Sequence, residues 1–263
     1  MTGRLTIPEN VEYDGKTYSV TGIDAGAFLY CTGLTGLTLG NNVQTIGSEA
    51  FMGCNGITTL IIPQSVTSIA PGAFTDCSGL SNIMVRNGNQ VYDSRGNCNA
   101  IIETSTDALV LGCKKTIVPE DVKTIAPYAF AGCTGLTSVN IPEGVTSVGQ
   151  SAFTGCSGLT EVFCYAQSVP DTEAYVFNGV PTASATLYVP FVALDAYKAT
   201  APWNKFGTIE VIPGDNTPVS PIHDANGRIL ESYDLNGQKQ SQLHKGLNIV
   251  RMNDGTVKKV MIK

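Results

Sequence analysis

Residues 50–63 read AFMGCNGITTLIIP. The same frame returns as AFLYCTGLTGLTLG (27–40), AFTDCSGLSNIMV (73–85), AFAGCTGLTSVNIP (129–142) and AFTGCSGLTEVFC (152–164). Phe28, Phe51 and Phe74 are 23 residues apart, as are Phe130 and Phe153, and Phe177 follows 24 later. Cys31, Cys54 and Cys77 keep the same period, as do Cys133 and Cys156, each followed three places on by Leu or Ile. A short alternating segment comes next (Leu37/Leu39, Leu60/Ile62, Ile83/Val85, Val139/Ile141, Val162/Cys164), and then a second apolar pair (Val43/Ile46, Val66/Ile69, Val122/Ile125, Val145/Val148). Alternation over four or five residues predicts strands, and the Gly, Pro and Asn between them predict sharp corners. One such unit cannot bury its apolar side alone, whereas stacked units share a continuous core. The expectation is a mainly β solenoid of about 23-residue turns.

The consensus IPxxVTSIxxxAFxxCxxLTxLxIP resembles the BspA-like leucine-rich repeat of bacterial surface proteins, over nearly all of residues 4–190. The resemblance implies the α/β leucine-rich-repeat class, with a curved right-handed solenoid and a parallel sheet on one face. It also implies interaction at the cell surface, often adhesion to host proteins, and no catalysis.

Two segments break the period. VEYDGKTYSV (11–20) carries Asp14-Gly15 between alternating residues, which predicts a type I′ hairpin. CNAIIETSTDALVLGC (98–113) predicts a second hairpin turning at Thr104–Asp107, with Glu103 opposite Ala108, Ile101 opposite Val110 and Cys98 opposite Cys113. The repeat then resumes with Val118 in the place of Ile62.

The solenoid is expected to span residues 1–213, with a cap at 186–213. Leu187 and Val189 give its final strand, Val192–Thr200 permits a helix, and Trp203 and Phe206 close the open end, since a last turn otherwise exposes apolar core. Residues 214–221 (GDNTPVSP) read as a linker and 222–263 as a small antiparallel β module of four short strands. The stretch YDLNGQ…KGLNIVRMNDGTVKKVMIK resembles the C-terminal sorting domains of type IX-secreted proteins, which would imply export or surface attachment. A small β module appended for packing is the alternative.

Apolar residues make up 43% of the 263, charged residues 14%, and the net charge is −6. Seven Lys/Arg against four Asp/Glu make the tail from Ile222 +3, leaving −9 for the rest. That balance argues against nucleic acid as a partner. No apolar stretch reaches the roughly 20 residues that span a bilayer. The chain starts abruptly within the repeat pattern with no leader core. A leader of the natural protein is therefore expected to be missing from it, and the location is expected to be extracellular or on the outer cell surface. The protein is expected to act as a monomer.

Eight cysteines raise the question of metal. No two lie closer than eight residues, and both histidines, His223 and His244, are in the tail, so the close pairs of a zinc site are missing. No metal and no other cofactor is expected. The periodic cysteines are expected to be reduced apolar filling, because residues in register on parallel strands point the same way, which suits no disulfide. Cys98 and Cys113 differ in facing each other across a hairpin; a disulfide or two buried thiols both fit. DSRGN (93–97) and DANGR (224–228) lack a calcium loop's downstream bidentate carboxylate and read as turns. Without a solenoid histidine, Ser–His chemistry has no base. The acidic residues cluster at corners, where solvated charge is normal, so no catalytic residue is assigned.

The functional signal is the outward position of each main strand. There stand Thr38, Ile61, Met84, Ile117, Asn140, Phe163 and Tyr188, five of the seven apolar or aromatic. Exposed apolar surface marks partner sites, so Ile61, Met84, Ile117, Asn140, Phe163 and Tyr188 are the candidate binding residues. The protein is expected to bind a protein or glycan partner through this face, unless the inserts or the tail cover it. A structural spacer of a surface assembly, without a soluble ligand, is the alternative.

Overall fold

The alternating segments form strands that stack in parallel from turn to turn. The computed structural model describes residues 2–215 in full, and from 216 on only the backbone of four strands. The chain divides into two compact units, Met1–Ile212 and Pro213–Lys263.

The first unit is a β-solenoid with two ladders of strands. The main ladder pairs Thr2–Thr6 with Gly33–Thr38 and Thr59–Ile62 with Asn82–Val85. It continues as a four-stranded run of Ser138–Ile141, Glu161–Cys164, Thr186–Val189 and Thr208–Val211. The sequence reading ends this ladder at Val189; the structure adds Thr208–Val211, in which only Ile209 and Val211 point toward the core side. The second ladder carries the second apolar pair of each turn: Gly22–Ile23, Thr45–Ile46 and Ser68–Ile69, and later Thr124–Ile125, Ser147–Val148 and Asp171–Thr172.

The corners explain the glycines of the repeat. The residues two before and two after each phenylalanine are left-handed: around Phe51 these are Glu49 (φ 56°) and Gly53 (φ 74°), and around Phe153, Ser151 (φ 55°) and Gly155 (φ 73°). Glycine adopts this conformation at least cost. Between the two bends the Phe amide donates to the next turn's alanine carbonyl, as Phe51 N to Ala73 O at 2.8 Å. The rings therefore stack, Phe28–Phe51 at 5.1 Å and Phe51–Phe74 at 5.2 Å, then Phe130–Phe153 at 5.1 Å and Phe153–Phe177 at 5.7 Å.

The stack breaks between Phe74 and Phe130, where the insert enters. Tyr92–Asp93, Ile101–Glu103 and Ala108–Leu111 form an antiparallel group, and Ala108–Leu111 then pairs in parallel with Thr124–Ile125. The hairpin forms with Glu103 opposite Ala108, as expected, but a bulge between Ile101 and Ile102 places Ile101 opposite Leu111 rather than Val110. The bulge lets neighbouring residues serve different cores. Ile101, Leu111 and Cys113 pack with the N-terminal turns, whereas Cys98, Ala100, Ile102 and Leu109 pack with the C-terminal ones. Cys98 and Cys113 thus lie in separate clusters, and both are free thiols.

Asn10–Tyr13 and Lys16–Ser19 form the first hairpin, with Asp14 (φ 50°) and Gly15 (φ 66°) both left-handed, as a type I′ turn requires. At the other end Phe191–Ala193, the helix Leu194–Ala199 and Trp203–Lys205 cover the last turn. Trp203 and Phe206 are buried and meet Phe177 edge-on at 5.2 and 5.1 Å, so the ring stack ends in the expected lid. Tyr197 is anchored beneath it, its hydroxyl donating to Ala166 O at 2.9 Å.

In the second unit, Glu231–Tyr233, Lys239–Gln240, Gly246–Arg251 and Val257–Ile262 pair antiparallel, the four short strands that the pattern predicts. Most of the expected linker, residues 216–221, and the DANGR turn lie outside the described residues.

Candidate binding surface

Alternation places one residue of each main strand inside and the next outside. Leu60, Ile62, Ile83 and Val85 are buried, and between them Ile61 and Met84 face outward, directly in register. Met84 is 50% exposed and Ile61 half-buried. Further along, Asn140, Phe163 and Tyr188 are in register with one another and with Glu210. The Phe163 and Tyr188 rings stack at 4.5 Å with 12° between their planes, and both are half-buried.

Ile117 joins neither group. Its segment makes no ladder strand; its amide bonds Cys98 O at 3.0 Å, and its side chain is 75% exposed. The expected unbroken stripe is therefore two patches, Ile61–Met84 and Asn140–Phe163–Tyr188. Residues 94–99 replace the next rung of the sheet beside Asn82–Val85. Val85 N donates to Ser94 Oγ at 3.0 Å and Ile83 N to Asn99 Oδ1 at 3.4 Å, so side chains complete what a strand would have supplied.

This substitution makes a cleft of about 650 Å³. Ile61 and Met84 line it, together with Asn82, Arg86 and Asn87 and the insert residues 93–97 and Asn99. Arg95 fixes the insert. Its guanidinium donates to Asp93 at 2.8 Å, Asp107 at 2.7 Å and Asp121 at 2.6 Å. These bonds, that to Asp93 first, hold the guanidinium firmly protonated. The Asp93 carboxylate also accepts from the Arg95 amide at 3.0 Å, so DSRGN is a turn clamped by its own arginine. Asn89 is likewise spent on structure, donating to Pro63 O and Val66 O and accepting from Val91 N and Tyr92 N. Asn87 and Asn97 make no side-chain bond within the described residues. The cleft was not read from the sequence; its signal is the five asparagines between positions 82 and 99.

The periodic cysteines do more than fill space. Cys54 Sγ donates to Phe28 O at 3.2 Å, Cys77 to Phe51 O at 3.1 Å and Cys156 to Phe130 O at 3.0 Å. Each of these carbonyls also accepts the amide of the cysteine in its own turn, so it joins two turns. Burial pushes the Cys77 and Cys133 thiols up to about 12 and Cys164 up to about 11, the last moderated by its bond with the Tyr197 hydroxyl. Such thiols are unreactive at neutral pH. Among the described residues no group of three or more His, Cys, Asp or Glu side chains is placed to hold a metal. No helix among them is long and apolar enough to cross a membrane.

Solenoid, repeat period and outward sheet face together define a leucine-rich-repeat protein. Six copies of the BspA type leucine rich repeat region match residues 6–106 and 110–187, more than half of the chain, and the protein belongs to that family. Such proteins are typically non-enzymatic. No curated protein matches the sequence. Among solved structures, the chain is similar to a leucine-rich cell surface protein from Faecalibacterium prausnitzii at 19% identity and TM-score 0.36, over 79% of this chain and 87% of that one. It is similar to the pneumococcal vaccine antigen PcpA at 15% identity and TM-score 0.43, over 82% and 76%. A leucine-rich repeat protein from Bacteroides ovatus gives 18% identity and TM-score 0.33, over 80% and 69%. The family assignment rests on the repeat match.

Proposed function

We propose that this is a non-enzymatic protein of the bacterial cell surface that binds an extracellular partner, a protein or a glycan, through the outward face of its main sheet. The observation that carries this is the pair of patches at positions the core does not need. A sheet face required only for packing would be polar outward; here Met84 stays half-exposed, and Phe163 and Tyr188 stack in solvent reach. Apolar side chains that adjoin in a patch at a protein surface mark contact sites. The C-terminal β module serves, in this reading, in export or attachment rather than in recognition.

The test is retention of the full chain on immobilised matrix proteins and mucin glycans, read by interferometry. Met84→Glu and Phe163→Glu each place a charge on an outward side chain without entering the core. Both variants are expected to melt within a few degrees of wild type and to lose at least tenfold in retention at their own patch. Undiminished retention of the folded double variant would sink the proposal.

A further inference from the structure

We infer that the cleft between the Ile61–Met84 patch and the insert is a carbohydrate subsite that takes a short neutral oligosaccharide. The inference rests on the reading of the sheet face as a binding surface and gives one part of it a ligand class.

Three features of the cleft point the same way. The first is its size: about 650 Å³ falls within the range of roughly 300–1,000 Å³ for small-ligand sites. It admits a few sugar units and excludes a folded domain.

The second is its polar chemistry. Asn87 and Asn97 have both side-chain donors and their acceptor open. The Asn99 oxygen accepts from Ile83 N, leaving its amino group, and the Asn82 amino group is on Ser81 Oγ at 3.3 Å, leaving its oxygen. An amide side chain both donates and accepts, which matches a sugar hydroxyl that does the same. Met84 and Ile61 supply the apolar floor on which the C–H face of a pyranose ring can rest.

The third is charge. Arg95 and Asp93 line the cleft but neutralise each other, with Asp107 and Asp121 adding further carboxylates to the guanidinium. Arg86 is the remaining cation in the lining, and it is drawn toward Asn41 Oδ1 at 3.2 Å. The cleft thus has neither the clustered cations a phosphate or uronate would need nor open carboxylates for a basic ligand. An extended peptide would seek unpaired strand edges, but here the main-chain amides beside the cleft, Ile83 and Val85, are already bonded to Asn99 and Ser94. Neutral sugar is the chemistry that remains.

The insert's rigidity supports recognition of this kind. Arg95 ties the loop at both its own base and the hairpin turn, so the backbone that carries Asn97 and Asn99 is held before a ligand arrives, which lowers the ordering cost of binding.

Methionine methyl resonances of the 263-residue chain give a site-resolved readout, since Met84 lines the cleft and Met52 does not. The probes are soluble di- to tetrasaccharides of glucose, galactose, mannose and N-acetylglucosamine, beside a galacturonate trisaccharide and an uncharged extended peptide. At least one neutral oligosaccharide is expected to shift Met84 saturably while leaving Met52 unmoved, and Asn82→Ala/Asn87→Ala is expected to weaken that binding at least tenfold. Three results would each overturn the inference: no neutral sugar shifts Met84, only the galacturonate or the peptide does so, or the asparagine double variant binds undiminished. Loss of surface retention in Phe163→Glu together with a silent Met84 would reject the sugar subsite and leave the sheet-face function standing. Retention unaffected by either patch would reject the function itself.

Discussion

Replacing Cys156 distinguishes a thiol that bonds from a thiol that merely fills. It is fully buried, and its Sγ lies 3.0 Å from Phe130 O, which also accepts Cys133 N at 3.0 Å. Cys156→Ala removes this bond from a carbonyl that keeps one partner, so the loss sits near the low end of the 0.5–1.5 kcal/mol typical of a net hydrogen bond, about 0.5 kcal/mol. The lost sulfur is comparable to a buried methylene and adds about 0.8 kcal/mol, with a further cavity contribution, for a total of about 1.5–2 kcal/mol. Cys156→Ser keeps a donor aimed at the same carbonyl and is expected to cost less than alanine. Were the site apolar filling alone, the order would reverse, because an unpartnered buried hydroxyl costs about 1–3 kcal/mol. Urea unfolding followed by circular dichroism reads the difference as a shift of midpoint at constant m-value. Serine less stable than alanine by about 1 kcal/mol or more would refute the bonded ladder, since its penalty would then match that of a hydroxyl without a partner.

Three further outcomes follow from the same interior. All eight thiols are expected to react with an aromatic disulfide reagent in denaturant without reductant; a count of six would show that one disulfide forms and contradict the free thiols. Free thiols ionise near 9.0, but Cys77 and Cys133 in the fold do so near 12, so the folded state keeps protons that the unfolded state releases. Stability is therefore full below about pH 9 and falls as pH rises toward 12, by up to about 1.4 kcal/mol per pH unit for each such thiol, and urea midpoints at pH 8 and pH 10 check it. Trp203→Ala removes the stopper of the ring stack and the bond from its indole to Pro170 O at 3.3 Å, and should cost about 3–5 kcal/mol. Hydrogen exchange should rise first at 186–211 while the N-terminal turns stay protected; a uniform rise would contradict a cap that acts locally.

Much of the solenoid was legible because its determinants repeat. Phe51, Cys54, Ile57, Leu60 and Ile62 recur at fixed offsets, and a period of 23 with two alternating segments admits few folds. Both hairpins were legible from their turns, and the lid from the placement of Trp203. What escaped was non-periodic. The bulge at Ile101–Ile102 arises because two flanking cores compete for neighbouring residues, and pairing rules applied to the hairpin alone cannot see that. Ile117 resembles a strand residue in its local pattern, but the rung it would join is occupied by residues 94–99. The cysteine–carbonyl bonds depend on the 26-residue offset between Cys54 and Phe28, which hydrophobic patterning treats as filling. Of the binding surface, the individual outward residues were readable from alternation, but the cleft required knowing where the insert folds.

The bulged hairpin also has a consequence for how such a chain can vary. With Ile101 and Leu111 serving one core and Ile102 and Leu109 the other, it divides the apolar interior of the solenoid into two clusters. A turn of 23 residues duplicated or deleted away from the hairpin shifts only its own side, moving that end by about 4.8 Å per rung. Length can then change on either side while the wall between them stays as it is, as a book gains pages on either side of a fixed divider.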